Sequence, residues 1–408
     1  MDKNIEMAHT VAQAVASHGG QTYYVGGFVR DRLMGIDNKD VDIEVHGITP
    51  ETLAEILDSL GERVTMGASF GVYGLKHYDL DIAMPRSERT TGHGHRDFEV
   101  SVDPFLGVEK AAQRRDFTIN SLMENVLTGE IVDSFGGRED LKNGILRFVS
   151  PETFIEDPLR ALRAAQFASR FEFAVDKRTV KLCSIMEIQY LPFERITGEL
   201  EKALIKAKKP SIFFEVLKEM ELLDYWFSEI SALSADARAH TMAVLDRAAS
   251  VRAEAKSPFF FMLAALCTDI GQPEALIDRL SNEKELRDYV LNMKELADVP
   301  DSSCPDWNFL FDKSVCPADL LLLSKALREG ENARLEKKQK EKLFEYEELM
   351  KRPQVMGRDL IAAGLKPDRS FSSLLAYAHE LHLRGVEKDE ALKMTLKKAE
   401  ELSDFNIM

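Results

Sequence analysis

Cysteine is scarce in this chain of 408 residues: four are present, Cys183, Cys267, Cys304 and Cys316, far apart and without a C-x-x-C pair. That argues against a disulfide framework or a cysteine-built zinc site, and makes the cytoplasm the default compartment. No run of eighteen apolar residues occurs, so no membrane-spanning helix is expected. The opening MDKNIEMAHTVAQAVASHGG predicts a short amphipathic helix, without the charged start and apolar middle of a secretory leader. Positive charge is also in deficit, with a net charge of −16, which disfavours a broad, non-specific nucleic-acid binder. Local basic clusters remain at Arg86, Arg89 and Arg96; at Lys110, Arg114 and Arg115; at Lys202, Lys206, Lys208 and Lys209; and at Lys337, Lys338, Lys340 and Lys342. Repeats and low-complexity segments are absent. What is present is ordinary for a globular protein, 45% hydrophobic and 30% charged residues, and enough length for two to four domains.

One stretch stands out, Tyr23 to Gly47: YYVGGFVRDRLMGIDNKDVDIEVHG. Tyr23, Tyr24 and Val25 predict a strand, Gly26-Gly27 a tight turn, and Phe28–Met34 a short helix. A Gly-Gly turn onto a helix start offers free backbone N–H groups to a phosphate, and Arg30 adds a charged fork one turn on. The next strand alternates. Val41, Ile43 and Val45 take one face; Asp40, Asp42, Glu44 and His46 take the other. Two aspartates at i, i+2 converge on a hard cation such as Mg²⁺. Either feature alone is commonly just a turn or a solvated strand face. Side by side in one strand–helix–strand unit they form the minimal kit for phosphoryl or nucleotidyl transfer.

The GG-x-V-R-D turn followed by K-D-V-D resembles motif A of the nucleotidyltransferase superfamily, in the branch of class II tRNA nucleotidyltransferases (CCA-adding enzymes) and bacterial poly(A) polymerases. The resemblance implies that Asp40 and Asp42 hold catalytic Mg²⁺. QRRDFTINSL at 113–122 is similar to motif B, R-R-D-F-T-x-N, and implies phosphate contact by Arg115 and ribose contact by Asp116 and Asn120. FGGREDL at 135–141 resembles motif C, a hinge, and ERITGELEKALI at 194–205 resembles motif E, a bracing helix. The implied fold is α+β: a polymerase-β-like palm head over residues 1–145, then an all-helical neck at 146–210, body at 211–300 and tRNA-binding tail at 301–408.

EDPLRALRAAQFASRF at 156–171 resembles motif D, E-D-x-x-R, an amino-acid template for the incoming base. Pro158 suits the first turn of a helix, and Asp157, Arg160 and Arg163 step by three along it. Cytosine N4 and adenine N6 are both amino donors, and the Asp157 carboxylate accepts from either; Arg160 donates to the neighbouring ring acceptors. Uracil and guanine present a carbonyl there instead. Gln166 stands where many family members carry another arginine. With Gly27 and Arg30 on the triphosphate, the implied activity is addition of C, C and A to tRNA 3′ ends from CTP and ATP. Partial CC or A addition, poly(A) polymerisation and non-enzymatic RNA binding are the alternatives. Against polymerisation, Met66–Val72 looks like the CCA-type version of its strand; against mere binding stands the intact D-x-D, whose like charges repel without a metal.

Other stretches carry weaker signals. Thr49-Pro50-Glu51 predicts a helix start, with Gly61 ending it after Leu60. Residues 63–83 read as strand-rich, with Asp79 and Asp81 on one face and Asp81 a candidate third carboxylate. Residues 86–99, polar and holding His93 and His95, read as a loop. Residues 240–271 resemble an HD phosphohydrolase domain in which His240 survives but Thr268-Asp269 replaces the His-Asp pair. A threonine hydroxyl is a poor ligand for a transition metal, so a scaffold without its metal chemistry is expected. Residues 353–371 resemble the family's tail segment. Protein partners are not legible.

Overall fold

The computed structural model describes residues 2–65, 72–90, 98–301 and 303–405. Met66–Gly71 and residues 91–97, with His93 and His95, lie outside them. The chain divides into two compact units, one of residues 1–232 with 279–281, the other of 233–278 with 282–408.

The first unit opens with helix α1 (Lys3–Ser17), whose start is capped by the Asp2 side chain, and strand β1 (Gln21–Val25). Helix α2 (Gly27–Leu33) and strand β2 (Val41–His46) follow. Helix α3 (Pro50–Leu60) starts where Thr49 accepts from the Thr52 amide, with proline in its first turn, and stops at Gly61. Strands β3 (Arg63–Thr65), β4 (Val72–Leu75) and β5 (Leu80–Ala83) come next. β6 (Arg86–Thr90) and β7 (Phe98–Val102) form a separate antiparallel pair, Arg86 opposite Val102. The loop expected over residues 86–99 is therefore strand at both ends. Phe98, Val100 and Val102 alternate with polar neighbours, a period-2 signal masked by the Gly- and His-rich stretch before it.

After α4 (Val108–Gln113) come β8 (Met123–Asn125) and β9 (Ile131–Val132), and the main sheet runs β3-β4-β5-β2-β1-β8-β9. β1 lies antiparallel to β2 and β8, while β2 and β5 are parallel, with Asp42 in register with Asp81. Val41, Ile43 and Val45 are buried in one cluster with Val11 and Val15 of α1 and Leu53 and Leu57 of α3. Burying each such side chain stabilises by about 1.5–3 kcal/mol, so this face fixes the register and turns Asp42, Glu44 and His46 to the other. One difference from expectation is small: Asp40 stands one residue before the strand, exposed, its amide donating to Asn38 Oδ1 at 3.0 Å.

Helix α5 (Gly137–Asn143) begins at the second glycine of FGGRED, where a Cβ would fall 2.2 Å from the Thr118 carbonyl oxygen. Only glycine allows that approach. Five longer helices follow: α6 (Pro151–Phe154) is a single turn, then α7 (Leu159–Phe171), α8 (Lys177–Cys183), α9 (Phe193–Lys206), α10 (Ser211–Glu219) and α11 (Leu223–Ser231). Phe117, fully buried, joins the head to α6 and α7 through ring contacts with Phe154 and Phe167 at 5.5 and 5.8 Å.

The second unit is helical throughout its described residues, from Ala235–Val251 and Pro258–Leu266 to Phe371–Leu383 and Lys388–Phe405. Val355, Leu360, Leu374, Ala378, Leu381 and Ala391 form a small core of their own near its C-terminal end. The tail segment expected from residue 353 contains the short helix Gly357–Ala362. No helix among the described residues is long and apolar enough to cross a membrane.

Candidate active site

The turn between β1 and α2 is set by Gly26, at φ +65° and ψ −130°, a conformation side-chain-bearing residues avoid. A Cβ there would stand 3.1 Å from Arg115 Nη1. Beyond the turn opens a cavity of about 850 Å³, lined by Gly27, Arg30, Asp40, Asp42, Arg115, Asp116, Asn120 and Arg163 among others. Eight of the ten site residues expected from the sequence thus meet in one place, drawn from three separate stretches of chain.

The sheet side carries the acids. Asp42 is half-buried, and burial, reinforced by Asp81 in the neighbouring strand, pushes its carboxyl up to about 6. Asp81 is raised in the same direction, by burial first and then by Asp79 and Asp40. A cation held between such crowded carboxylates would relieve their repulsion. Among the described residues no three acidic, imidazole or thiolate groups converge on one point. One or two carboxylates with substrate phosphates completing the shell is the usual arrangement for Mg²⁺, so the donor set fits. Next along β2, Glu44 is buried too, yet a hydrogen bond from His46 and the charges of Arg115 and Arg114 overcome desolvation and hold it down at about 2. Arg114 and Arg115 each reach Glu44 Oε2 at 3.3 Å.

The opposite wall is a chain of paired charges. Arg30, 3% exposed, gives Nε to Asp31 Oδ1 at 2.7 Å and Nη1 to Asn120 Oδ1 at 2.6 Å, with its guanidinium against the rings of Phe167 and Phe171. Asn120 donates in turn to Asp116 Oδ1 at 3.0 Å. Asp116 Oδ2 accepts from Arg163 Nε at 2.8 Å and Nη2 at 2.7 Å. Desolvation pushes the pKa of Asp116 up, but Arg163 and Asn120 outweigh it and leave the pKa lowered. Arg30 is therefore a bonded pillar of the site rather than a free fork.

Asp157 and Arg160 do not line this cavity. Asp157 caps α7 by accepting from the Leu159 amide at 3.1 Å and pairs with Arg195 Nη2 at 3.0 Å. Arg160 donates to the carbonyls of Thr153 and Arg114 at 2.7 and 2.8 Å. At 3.6 residues per turn each step of three falls about 60° short of a full turn, so Arg163 faces the cavity and Asp157, two steps back, does not. The helix's cavity face continues instead through Gln166, Phe167, Arg170 and Phe171, and α9 adds Lys202 and Lys206. Sequence reasoning had Lys202 and Lys206 only as members of a local basic cluster and Gln166 only as a departure from the family pattern, and left Phe167, Arg170 and Phe171 out. The i, i+4 spacing of the two lysines was visible, but which face of α9 met the head was not.

In the second unit His240 Nδ1 and Thr241 Oγ1 both bond Asp269 Oδ2 at 2.7 Å. Thr268 turns its hydroxyl back onto the Ala265 carbonyl at 2.8 Å.

Residues 22–147 match the Poly A polymerase head domain family. The Multifunctional CCA protein of Actinobacillus pleuropneumoniae is 34% identical over 307 residues, covering 69% of this chain and 73% of that protein. This chain belongs to the class II CCA-adding enzyme family. The Multifunctional CCA protein of Nitrosococcus oceani is 39% identical over 267 residues, 62% of this chain; the match spans 63% of that relative, less than two thirds of its length. Two solved CCA-adding enzyme structures share the fold. The Bacillus stearothermophilus CCA-adding enzyme in complex with CTP has a TM-score of 0.79 at 22% identity, over 99% of this chain and 100% of that one. The Thermotoga maritima CCA-adding enzyme complexed with tRNA has a TM-score of 0.71 at 23% identity, over 98% and 96%.

Proposed function

We propose that this protein adds C, C and A to the 3′ end of tRNA from CTP and ATP, releasing pyrophosphate. The observation that carries the reading is the meeting, in one cavity, of an unpaired, charge-disfavouring Asp42 with a wall of arginines and lysines. A triphosphate would add its oxygens to Lys206 and to Arg115, Arg163 and Lys202, the last three already facing protein carboxylates, and a metal would bring the positive charge that Asp40 and Asp42 lack.

Asp40 and Asp42 would hold Mg²⁺, which when bound acidifies an RNA 3′-hydroxyl and neutralises the leaving pyrophosphate. Gly27 and Arg115 supply phosphate contact at the turn. Arg30, Asp116 and Asn120, bonded to one another, act as a rigid block that sets the position of Arg163 and of the sugar. Lys202 and Lys206 add charge to the far wall. Asp157 and Arg160 read the base once their present bonds are exchanged: Arg195, now on Asp157, would yield that carboxylate to the amino group common to cytosine and adenine, and Arg160 would leave the Thr153 and Arg114 carbonyls for the ring acceptors.

The test supplies tRNAs ending before CCA, after C, after CC and after CCA with each labelled nucleotide and Mg²⁺. The expected products are C, then C, then A, with nothing added to the completed end. Repeated A addition would favour poly(A) polymerisation. Addition of only C or only A would mark a partial enzyme, and no addition with intact RNA binding would make it a binding relative.

A further inference from the structure

The sheet fixes Asp42 but not Asp40. Pairing of β2 with β5 begins at Val41, and Asp40 stands exposed on the loop before it. Its charge adds to the repulsion that both Asp42 and Asp81 feel, so without a cation it is pushed away from the other acids. The loop carries a tether against that push. Asn38 Oδ1 accepts from the Asp40 amide at 3.0 Å, and Asn38 Nδ2 donates to Asp31 Oδ2 at 3.0 Å. Asp31 is a firm anchor on helix α2: it is 2% exposed, with Arg30 Nε and Nη2 at 2.7 and 2.6 Å from its Oδ1. The Asn38 amide can face only one way. Turned over, it would set its donor against the Asp40 N–H and its oxygen against a carboxylate. A Cβ on Gly27 would lie 3.9 Å from Asn38 Nδ2, so this bridge runs beside the glycine turn.

Resting on the proposed transfer and its metal, we propose that Asn38 is a positioning residue for the cation: it ties the Asp40 backbone to helix α2, so that Asp40 and Asp42 are presented together despite their repulsion. In this role Asn38 touches neither the metal nor the nucleotide. An asparagine two residues ahead of its partner amide is by itself an ordinary turn. The second bond, back to Asp31, is what gives the turn a fixed place beside the acids. Groups behind the ligands of a metal site commonly matter about 10- to 100-fold in affinity. Asn38 acts on one carboxylate of two, through its main chain, and belongs at the lower end of that range.

The experiment titrates Mn²⁺ alone into the full chain and reads bound metal by electron paramagnetic resonance, with Asp42→Ala as the reference for a lost site. Asn38→Ala should bind Mn²⁺ about tenfold more weakly, while metal-free binding of inorganic tripolyphosphate and the melting temperature stay close to wild type. In single-turnover addition of C, the Mg²⁺ concentration for half-maximal rate should rise by a similar factor. The rate at saturating Mg²⁺ should recover, because the reacting groups are untouched. Asn38→Ser offers a hydroxyl to the Asp40 amide but cannot reach Asp31, and should fall between the two. Unchanged Mn²⁺ binding in folded Asn38→Ala overturns the inference. So does an equal loss of Mn²⁺ and tripolyphosphate binding with a lower melting temperature, which marks a merely structural residue. Should Asn38→Ala fail to fold, Asn38→Ser carries the test: Mn²⁺ bound as in wild type would show the bridge to Asp31 to be idle. Wild-type protein whose Mn²⁺ binding depends on Asn38 but which never extends tRNA would sink the activity reading and leave this one standing.

Discussion

Asp42 and Asp116 face the same cavity, yet their carboxyls are driven in opposite directions. Asp42 has Asp81 in register beside it, and burial with that repulsion raises it to about 6. Asp116 is more buried but receives Arg163 and Asn120, and is lowered. Burial alone penalises both. The partner decides the sign. One carboxylate is left poised for a ligand from outside; the other is spent inside the protein, where it orients an arginine. The proposed binding of a metal and a polyanion in one site would use both kinds.

The largest effect expected from breaking this contrast is at the poised side. Asp42→Ala should lower both C and A incorporation by on the order of 10³-fold or more while the circular dichroism and melting of the protein are kept. Normal turnover in a folded Asp42→Ala protein would end the comparison. Exchanging polarity at the proposed base-reading pair, Asp157 and Arg160, comes next. Asp157→Arg with Arg160→Asp places a donor and an acceptor where uracil and guanine need them. Each misplaced bond costs about 1–3 kcal/mol, so single-turnover rates should fall by several orders of magnitude while preference moves from CTP and ATP toward UTP and GTP. An unchanged preference would move selection to the RNA or the backbone.

The paired side should answer in stability. Asp116→Asn strips Arg163 of its buried counter-charge and should cost about 3 kcal/mol at pH 7. Because the folded Asp116 has a lowered pKa, its stabilisation is present above the unfolded value of about 3.9 and is lost as pH falls through the folded one. The gap between wild type and Asp116→Asn in urea unfolding should therefore shrink as the pH drops below about 4; a gap that widens would reverse the assignment. The smallest effect belongs to a third carboxylate, Asp269, bonded by an imidazole and a hydroxyl. His240→Ala should cost about 1 kcal/mol, with no hydrolysis of 2′,3′-cyclic AMP in Mg²⁺, Mn²⁺ or Ni²⁺ before or after. Activity that vanishes in His240→Ala would show a working hydrolase site.

Local signals proved legible and long-range ones did not. The alternation of Val41, Ile43 and Val45 predicted both the strand and its inner face, and the Thr49 cap and Gly61 stop framed α3 to the residue. Motif spacing brought together Gly27, Asp42, Arg115, Asp116 and Arg163. Tertiary use of a side chain was hidden. Nothing in G-F-V-R-D says that Arg30 will be buried on two phenylalanines some 140 residues on, nor that Arg160 will spend its donors on backbone carbonyls.

The buried run Arg30, Asn120, Asp116, Arg163 crosses the boundary drawn from sequence at residue 145. Its first three members are head residues and the last sits in the neck, as do the rings under Arg30. A fragment cut at that boundary would keep Asp116 and Arg30 but lose what neutralises the one and covers the other. A head fragment ending at residue 145 is therefore expected to be less stable than one carried through α7. Any rearrangement of this chain by truncation, fusion or permutation must carry residues through at least α7 for the head to hold its shape.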